Sequence, residues 1–547
     1  MTLDRLAVSR IHIRACLPLL LAVAIGGPAG LRAQHDHGSG GAPAPAEGSF
    51  PLYRAGLGPF SRPITTSVAE AQAYFDQGAQ LMFAFAPSEA AKSFQEAQRR
   101  DLNCAMCYWG EAWAWGSYLN EPMEADDAPR AFDAIRRARD HLEHASPVER
   151  ALIDAMAARY TREHDPDRRK RLDTAYAAAM ADVLRRFPSD LDVATLYAEA
   201  LMLLEPRRGR WDVAKPSVRE IHRVLEATLD ADLRHPGACH LFIHATESTV
   251  VPEKAVACAE HLGLAIPGAS HINHMPSHTW NRVGRWGDAV RANIRAWHSD
   301  QRAAIGEGFA IYPSHNLHML LFAASMDGQG AVAWQAARDY AKEVRGGVFY
   351  EALVLLRFGR FEEILALAAP PEAPIHRGLW EFARGYAQLR QGRSDSARVY
   401  WNRVRDAARD APESVTFRGH SATHLLGIVG GILEGELLHA EGRAGEALGA
   451  FERSVETEDS LRYDEPEPLN FSARHWLGAA LLDAGRPTEA EAVYRAALAD
   501  HPNNGWSLLG LALALEAQGR GDAALAARAE FERAWARADT WIRASRF

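Results

Sequence analysis

A glycine followed at offsets of 12, 16, 19 and 24 residues by alanine, an aromatic, alanine and proline constrains this chain most. Its fullest copy runs from Gly478 through Ala490, Tyr494 and Ala497 to Pro502. The spacing returns from Gly78 (Ala90, Phe94, Ala97), from Gly385 (Ala397, Trp401) and from Gly435 (Ala447, Phe451). Small residues at the first two places let two helices approach closely, the aromatic fills the gap to the next unit, and proline opens the next turn. From about residue 70 nearly every segment reads as a short helix, so the chain grows by stacking units and needs no single large core.

This pattern resembles the tetratricopeptide repeat, a helix-turn-helix unit of about 34 residues. The resemblance implies an all-α solenoid of helical hairpins, about ten to twelve of them by length. It would wind as a right-handed superhelix, with the first helices lining a concave groove. It covers roughly residues 70–535, with clear copies near 378–411, 428–461 and 471–504. Between about 117 and 235 insertions such as LEPRRGRWDVAKPS break the register. The expected divisions are N-terminal repeats over 70–235, a histidine-rich block over 236–345, and C-terminal repeats with capping helices over 346–547. The strings CAMCYWGEA, HMPSHTW and HPNNGWSLLGLA also resemble a bacterial group of secreted repeat proteins, which implies architecture and not chemistry.

Arg5, Arg10 and Arg14 precede the apolar run LPLLLAVAIGG, and Leu31-Arg32-Ala33 offers a cleavage site, so residues 1–33 read as an export signal. The run is too short to span a bilayer and no later stretch is long enough. Export to a periplasm or beyond is expected, followed by a disordered Gly/Pro/Ala-rich leader over 34–69 that carries His35 and His37. A net charge of −9, with 48% apolar and 24% charged residues, describes a folded chain without the basic stripe that a nucleic-acid grip needs.

Chemistry concentrates in seven histidines. His240 and His244 with Glu247, then His271, His274 and His278, then His315 and His318 recur at spacings of three and four, which stack rings on one helix face. Measured from the small packing position of each unit, they share one phase, and in the repeat family that stripe faces the groove. Adjacent helices packed about 8–10 Å apart would let neighbouring stripes share an ion. The expected ligand set is His240, His244, His274 and His278. Glu247 and Asn281 would complete or orient it, and His271, His315 and His318 would form a second site one repeat along. Such donors suit zinc, copper, nickel or iron. Hydrogen bonding to a metal-free ligand and plain packing remain as bland alternatives.

Cys104 and Cys107 fall on the same stripe several repeats earlier. They admit a local disulfide, a thiolate pair on a soft metal, or simple packing; Tyr108 excludes haem attachment. Cys239 and Cys258 sit opposite one another on one hairpin, where a disulfide would staple it. Trp109, Trp113, Trp115, Trp280, Trp286 and Trp297 read mostly as packing between repeats. Phosphate loops, dinucleotide fingerprints and nucleophile elbows are absent.

The chain is therefore expected to be an exported binding or scaffold solenoid with a histidine-rich divalent-metal site, receiving a protein or peptide in its groove. The competing classes are a metal-dependent enzyme with Glu247 as base, and a metal-free protein-interaction scaffold.

Overall fold

The computed structural model describes residues 50–53, 55–206 and 209–547; the stretch read as an export signal, most of the leader with His35 and His37, and Arg207 and Arg208 lie outside them. Among the described residues, α-helices pair into twelve successive hairpins, from Ala69–Phe83 with Pro87–Arg100 to Gly505–Ala517 with Gly521–Ala534. The expected packing logic holds at atomic level. Phe94 is fully buried, and a Cβ added at either Gly78 or Gly110 would strike its ring. Tyr494 lies in the same way between Gly478 and Gly510. Each aromatic thus bridges the glycine of its own unit and that of the next.

Departures from the expected pattern fall where segments cross the repeats. The leader does not extend to residue 69 as a disordered stretch. From Phe50 onward its backbone binds side chains of the first hairpin: Phe50 N–H donates to Glu96 (2.7 Å), Tyr53 N–H to Gln77 (2.8 Å) and Gly58 N–H to Gln80 (2.7 Å). Arg62 then reaches Asp190 and Asp192 at 2.9 and 2.6 Å. Polar side chains on the first two helices supply the partners that the leader's composition alone does not reveal. The all-helical reading also misses a two-residue β-hairpin, Thr416–Phe417 against His420–Ser421. Arg418 and Gly419 form its turn with positive φ (52° and 81°).

Nor is the inner face an open groove. Trp286 Nε1 donates to Pro502 O (2.8 Å), and Trp506 Nε1 to Ser325 O (2.9 Å). The segment joining Ala444–Asp459 to Arg474–Asp483 crosses the central repeats, where Asn470 Nδ2 donates to Ser325 Oγ (3.0 Å) and Pro468 O accepts from Tyr350 (3.0 Å). These long-range contacts fold the C-terminal repeats against the histidine-rich ones. No helix among the described residues is long and apolar enough to cross a membrane.

Candidate metal centre

Three rods carry the histidines: Pro236–Glu247, Ser270–His274 continued by Pro276–Arg282, and Pro313–Met326; proline, pre-set for the first helical turn, opens three of these four helices. His235 caps the first, its Nδ1 accepting from Ala238 N–H (3.1 Å). The second rod is broken. Pro276 ends the short helix Ser270–His274 and starts a new one, so His271 and His274 ride on a separate piece from His278.

The histidines group across the rods and not along them. His240, His244 and His271 bring one ring nitrogen each within 4.8 Å of one another, and so do His274, His278 and His315. The structure thus gathers His271 with His240 and His244, and His315 with His274 and His278, in place of the four-histidine set expected from a continuous rod. A third grouping joins His244, Glu247 and Glu465. His318 leaves the cluster, its Nε2 lying 2.6 Å from Tyr350 Oη. Asn281 points its amide at Met319 Sδ (3.7 Å), and the amide that holds a histidine is Asn293, 2.7 Å from His274 Nδ1.

Most nitrogens facing away from the cluster centres are backed by an oxygen. His240 Nδ1 lies 2.6 Å from Phe83 O, and His244 Nδ1 lies 2.7 Å from Glu247 Oε1. The second oxygen of Glu247 pairs with His278 Nδ1. With Nδ1 donating, His240 and His244 present Nε2 lone pairs inward, and neither Nε2 has a hydrogen-bond partner; both ring nitrogens of His271 also lack one. All three rings are buried. Phe85, held at φ 60° in the turn after the first helix, forms an apolar floor with its ring 4.2, 5.8 and 5.5 Å from those of His240, His244 and His271.

Burial and the neighbouring imidazoles hold His240, His271 and His274 well below the ordinary histidine range, in the neutral form that metal ligation requires. Burial opposes charge on His278 too, but Glu247 and Glu465 outweigh it and raise the ring to about 10. Against its own burial, His278 and His244 pull Glu247 well below the usual carboxylate range. Burial and the Glu247 charge push Glu465 up.

A cavity of about 760 Å³ opens onto this cluster, lined by His244, Glu247, His271, His278 and His315. Beside Ser248 and Tyr312 at the ends of histidine helices, its other walls are insertions: Leu119–Pro122 with Glu124, Gly209 with Trp211, Arg418 of the β-hairpin, and Arg462–Glu465. Arg418 is fixed to Asp464 by bonds of 2.6 and 2.8 Å. The segments that break the repeat register are therefore the ones that roof the site. Sequence reasoning missed Phe85, Asn293 and Glu465, which lie far from the histidine strings or off their stripe. The only available signal was the insertions themselves, since additions to repeats map to one face.

The cysteines sit elsewhere. Cys104 and Cys107 form a disulfide. They are buried with Tyr74, Ala97 and Ile64, so they do not line the groove as expected, because their turn starts a helix packed on the preceding hairpin. Cys239 and Cys258 form the hairpin staple. Trp109, Trp113, Trp280 and Trp286 are buried, and Trp115 and Trp297 pack partly buried against the core.

The fold is of the all-α tetratricopeptide-repeat type, a solenoid suited to protein–protein interaction. Two profiles described as tetratricopeptide repeat match residues 432–505 and 481–538. Among solved structures, the chain is similar to the P58(IPK) TPR domain (12% identity, 83% of this chain, 99% of that one, TM-score 0.23). It is also similar to the human IFIT1 dimer with m7Gppp-AAAA (8%, 86% and 90%, TM-score 0.30). A third likeness is to the APC/C hetero-tetramer Cut9–Hcn1 (12%, 89% and 77%, TM-score 0.29). At such scores these likenesses carry no argument about ligands or partners. No curated protein matches the chain in sequence.

Proposed function

We propose that this solenoid is an exported metalloprotein whose His240, His244 and His271 hold one divalent transition ion at the edge of the cavity. One observation carries the reading: three buried imidazoles converge with ring nitrogens that no hydrogen bond satisfies. Each buried polar atom left unpaired costs about 1–3 kcal/mol, a cost that a shared ion removes. The Nδ1 contacts to Phe83 O and Glu247 match the way ligating histidines are held by outer oxygens. Zinc, copper, nickel and iron suit the donor set; magnesium and calcium do not. Two disulfides suit an oxidising compartment outside the cytoplasm.

Three imidazoles leave a coordination position open, and the cavity beside them supports a second reading as a metal-dependent enzyme acting on a small molecule. Glu465, which lines that cavity, is better placed as a proton acceptor than Glu247, which two imidazoles hold. A peptide laid along the groove finds less support, because the protein's own segments cover much of the inner face.

Elemental analysis of protein purified from its native compartment tests the reading. About one ion per chain, lost in His240→Ala and His271→Ala variants that remain helical, is the expected result. Metal content indistinguishable from buffer in both native and reconstituted protein would overturn it. Turnover that falls in Glu465→Gln while the ion stays bound would favour the enzyme.

A further inference from the structure

The second group of histidines is built like the first. His274 Nδ1 lies 2.7 Å from Asn293 Oδ1, and the Asn293 amide nitrogen donates to Ala289 O (2.9 Å), which fixes the oxygen toward the ring. His274 therefore carries its proton on Nδ1 and presents an Nε2 lone pair. His278 Nδ1 faces Glu247, and its Nε2 faces that of His274 at 2.7 Å. Two imidazoles, each backed by an oxygen acceptor, thus aim at one point. The ring of His315 closes the third side, 4.7 Å from His274 and 5.7 Å from His278.

We propose that His274, His278 and His315 hold a second divalent ion, and that the two triads form one dinuclear centre. This rests on the reading of the first triad given above. Glu247 is the hinge: one carboxylate oxygen backs His244 of the first triad and the other backs His278 of the second. The triads also touch, with ring centroids 5.5 Å apart both between His271 and His274 and between His244 and His278. Both open on the same cavity, through His244 and His271 on one side and His278 and His315 on the other. A small oxygen donor entering from the cavity would reach both ions.

The chemistry balances. An incoming ion takes the place of any proton shared between the two Nε2 atoms, releases it to solvent, and is held by two neutral rings. Two nitrogens on one tetrahedral ion stand about 3.3 Å apart, from metal–nitrogen distances of about 2.0 Å. The rings must therefore part by about half an ångström. His274 and His278 sit four residues apart in Ser270–His274 and Pro276–Arg282, and a small side-chain rotation of either ring covers that distance.

The test uses the full chain, stripped of metal and reloaded with zinc(II) or copper(II). Two ions per chain are expected. The copper-loaded protein should show less than half of the paramagnetic resonance intensity of two isolated coppers, because neighbouring ions couple. His274→Ala and the conservative His315→Gln should each retain one ion and restore a full single-copper signal, with helical content unchanged. His240→Ala with His271→Ala should likewise retain one ion. One ion in the parent, unaffected by His274→Ala or His315→Gln, would overturn the second site and leave the first standing. Two ions with full, uncoupled intensity would overturn the dinuclear centre. No ion at all would overturn both readings.

Discussion

His244 and Glu247, one helical turn apart, meet through Nδ1 and Oε1 at 2.7 Å, while the other carboxylate oxygen pairs with His278 on the next rod. One side chain therefore sets the orientation of a ring in each histidine group. Glu247→Gln keeps the shape and one acceptor but removes the charge. Outer-shell substitutions of this kind weaken metal binding about 10- to 100-fold. A loss of that size is expected in competition titrations against a chelator. Affinity equal to that of the parent would show that Glu247 does not position the ligands.

Asp300 gives a dependence on pH that can be isolated. It is buried, with one oxygen accepting from Asn316 Nδ2 (2.8 Å), and burial outweighs the bonds from Ser270, Asn316 and Ile311 and raises it to about 7. In the unfolded chain it ionises near the ordinary aspartate value of 3.8. Above that pH the unfolded state gains by releasing a proton that the folded state keeps. Asp300 therefore lowers stability progressively from about pH 4 to about pH 7, by a total on the order of 4 kcal/mol. Asp300→Asn removes the titration. Urea denaturation should show the variant gaining on the parent as pH rises from 5 to 8; a constant difference across that range would rule the effect out.

The repeat spacing made the hairpins and their aromatic bridges legible, because Phe94 and Tyr494 need only a local fit between glycines at fixed offsets. The clustered residue types were legible for the same reason, since a three- or four-residue spacing fixes a helix face. Their grouping was not. It depends on how the successive rods pack against one another, which brings the rings of His271 and His240 to within 4.9 Å. The roof was not legible either: Glu465 lies more than 180 residues from His278 in sequence and reaches it through an irregular segment with no repeat signature. Tertiary closure of a stacked array leaves little trace in local periodicity.

The Cys239–Cys258 disulfide joins residues 19 apart and is buried on both sides. Closing a loop of that size in the unfolded chain is worth about 3 kcal/mol in the loop-entropy treatment. Because His240 follows Cys239 directly, the staple also anchors the first turn of the ligand rod. Cys239→Ser with Cys258→Ser is expected to lower the denaturation free energy by about that amount. Reductant added under denaturing conditions should lower the parent by at least that much, since it also opens Cys104–Cys107. Two additional free thiols in the unreduced, denatured parent would show that the bond does not form.

Close packing at the repeat glycines predicts opposite outcomes for one substitution made at two places. A Cβ at Gly110 would fall on the ring of Phe94, which is buried and already held on its other side by Gly78. Gly110→Ala should therefore destabilise the protein by about 1–3 kcal/mol, as overpacking does. A smaller side chain at the contact, as in Gly110→Ala with Phe94→Leu, should recover part of the loss. Gly427 sits inside the helix Ala422–Ala440 with nothing within 4 Å of an added Cβ. There alanine should stabilise by about 0.5–1 kcal/mol, because glycine loses more backbone freedom on entering a helix. Thermal melts of the two single variants compare them directly. Shifts of the same sign would show that the glycine–aromatic bridge does not govern how neighbouring repeats approach.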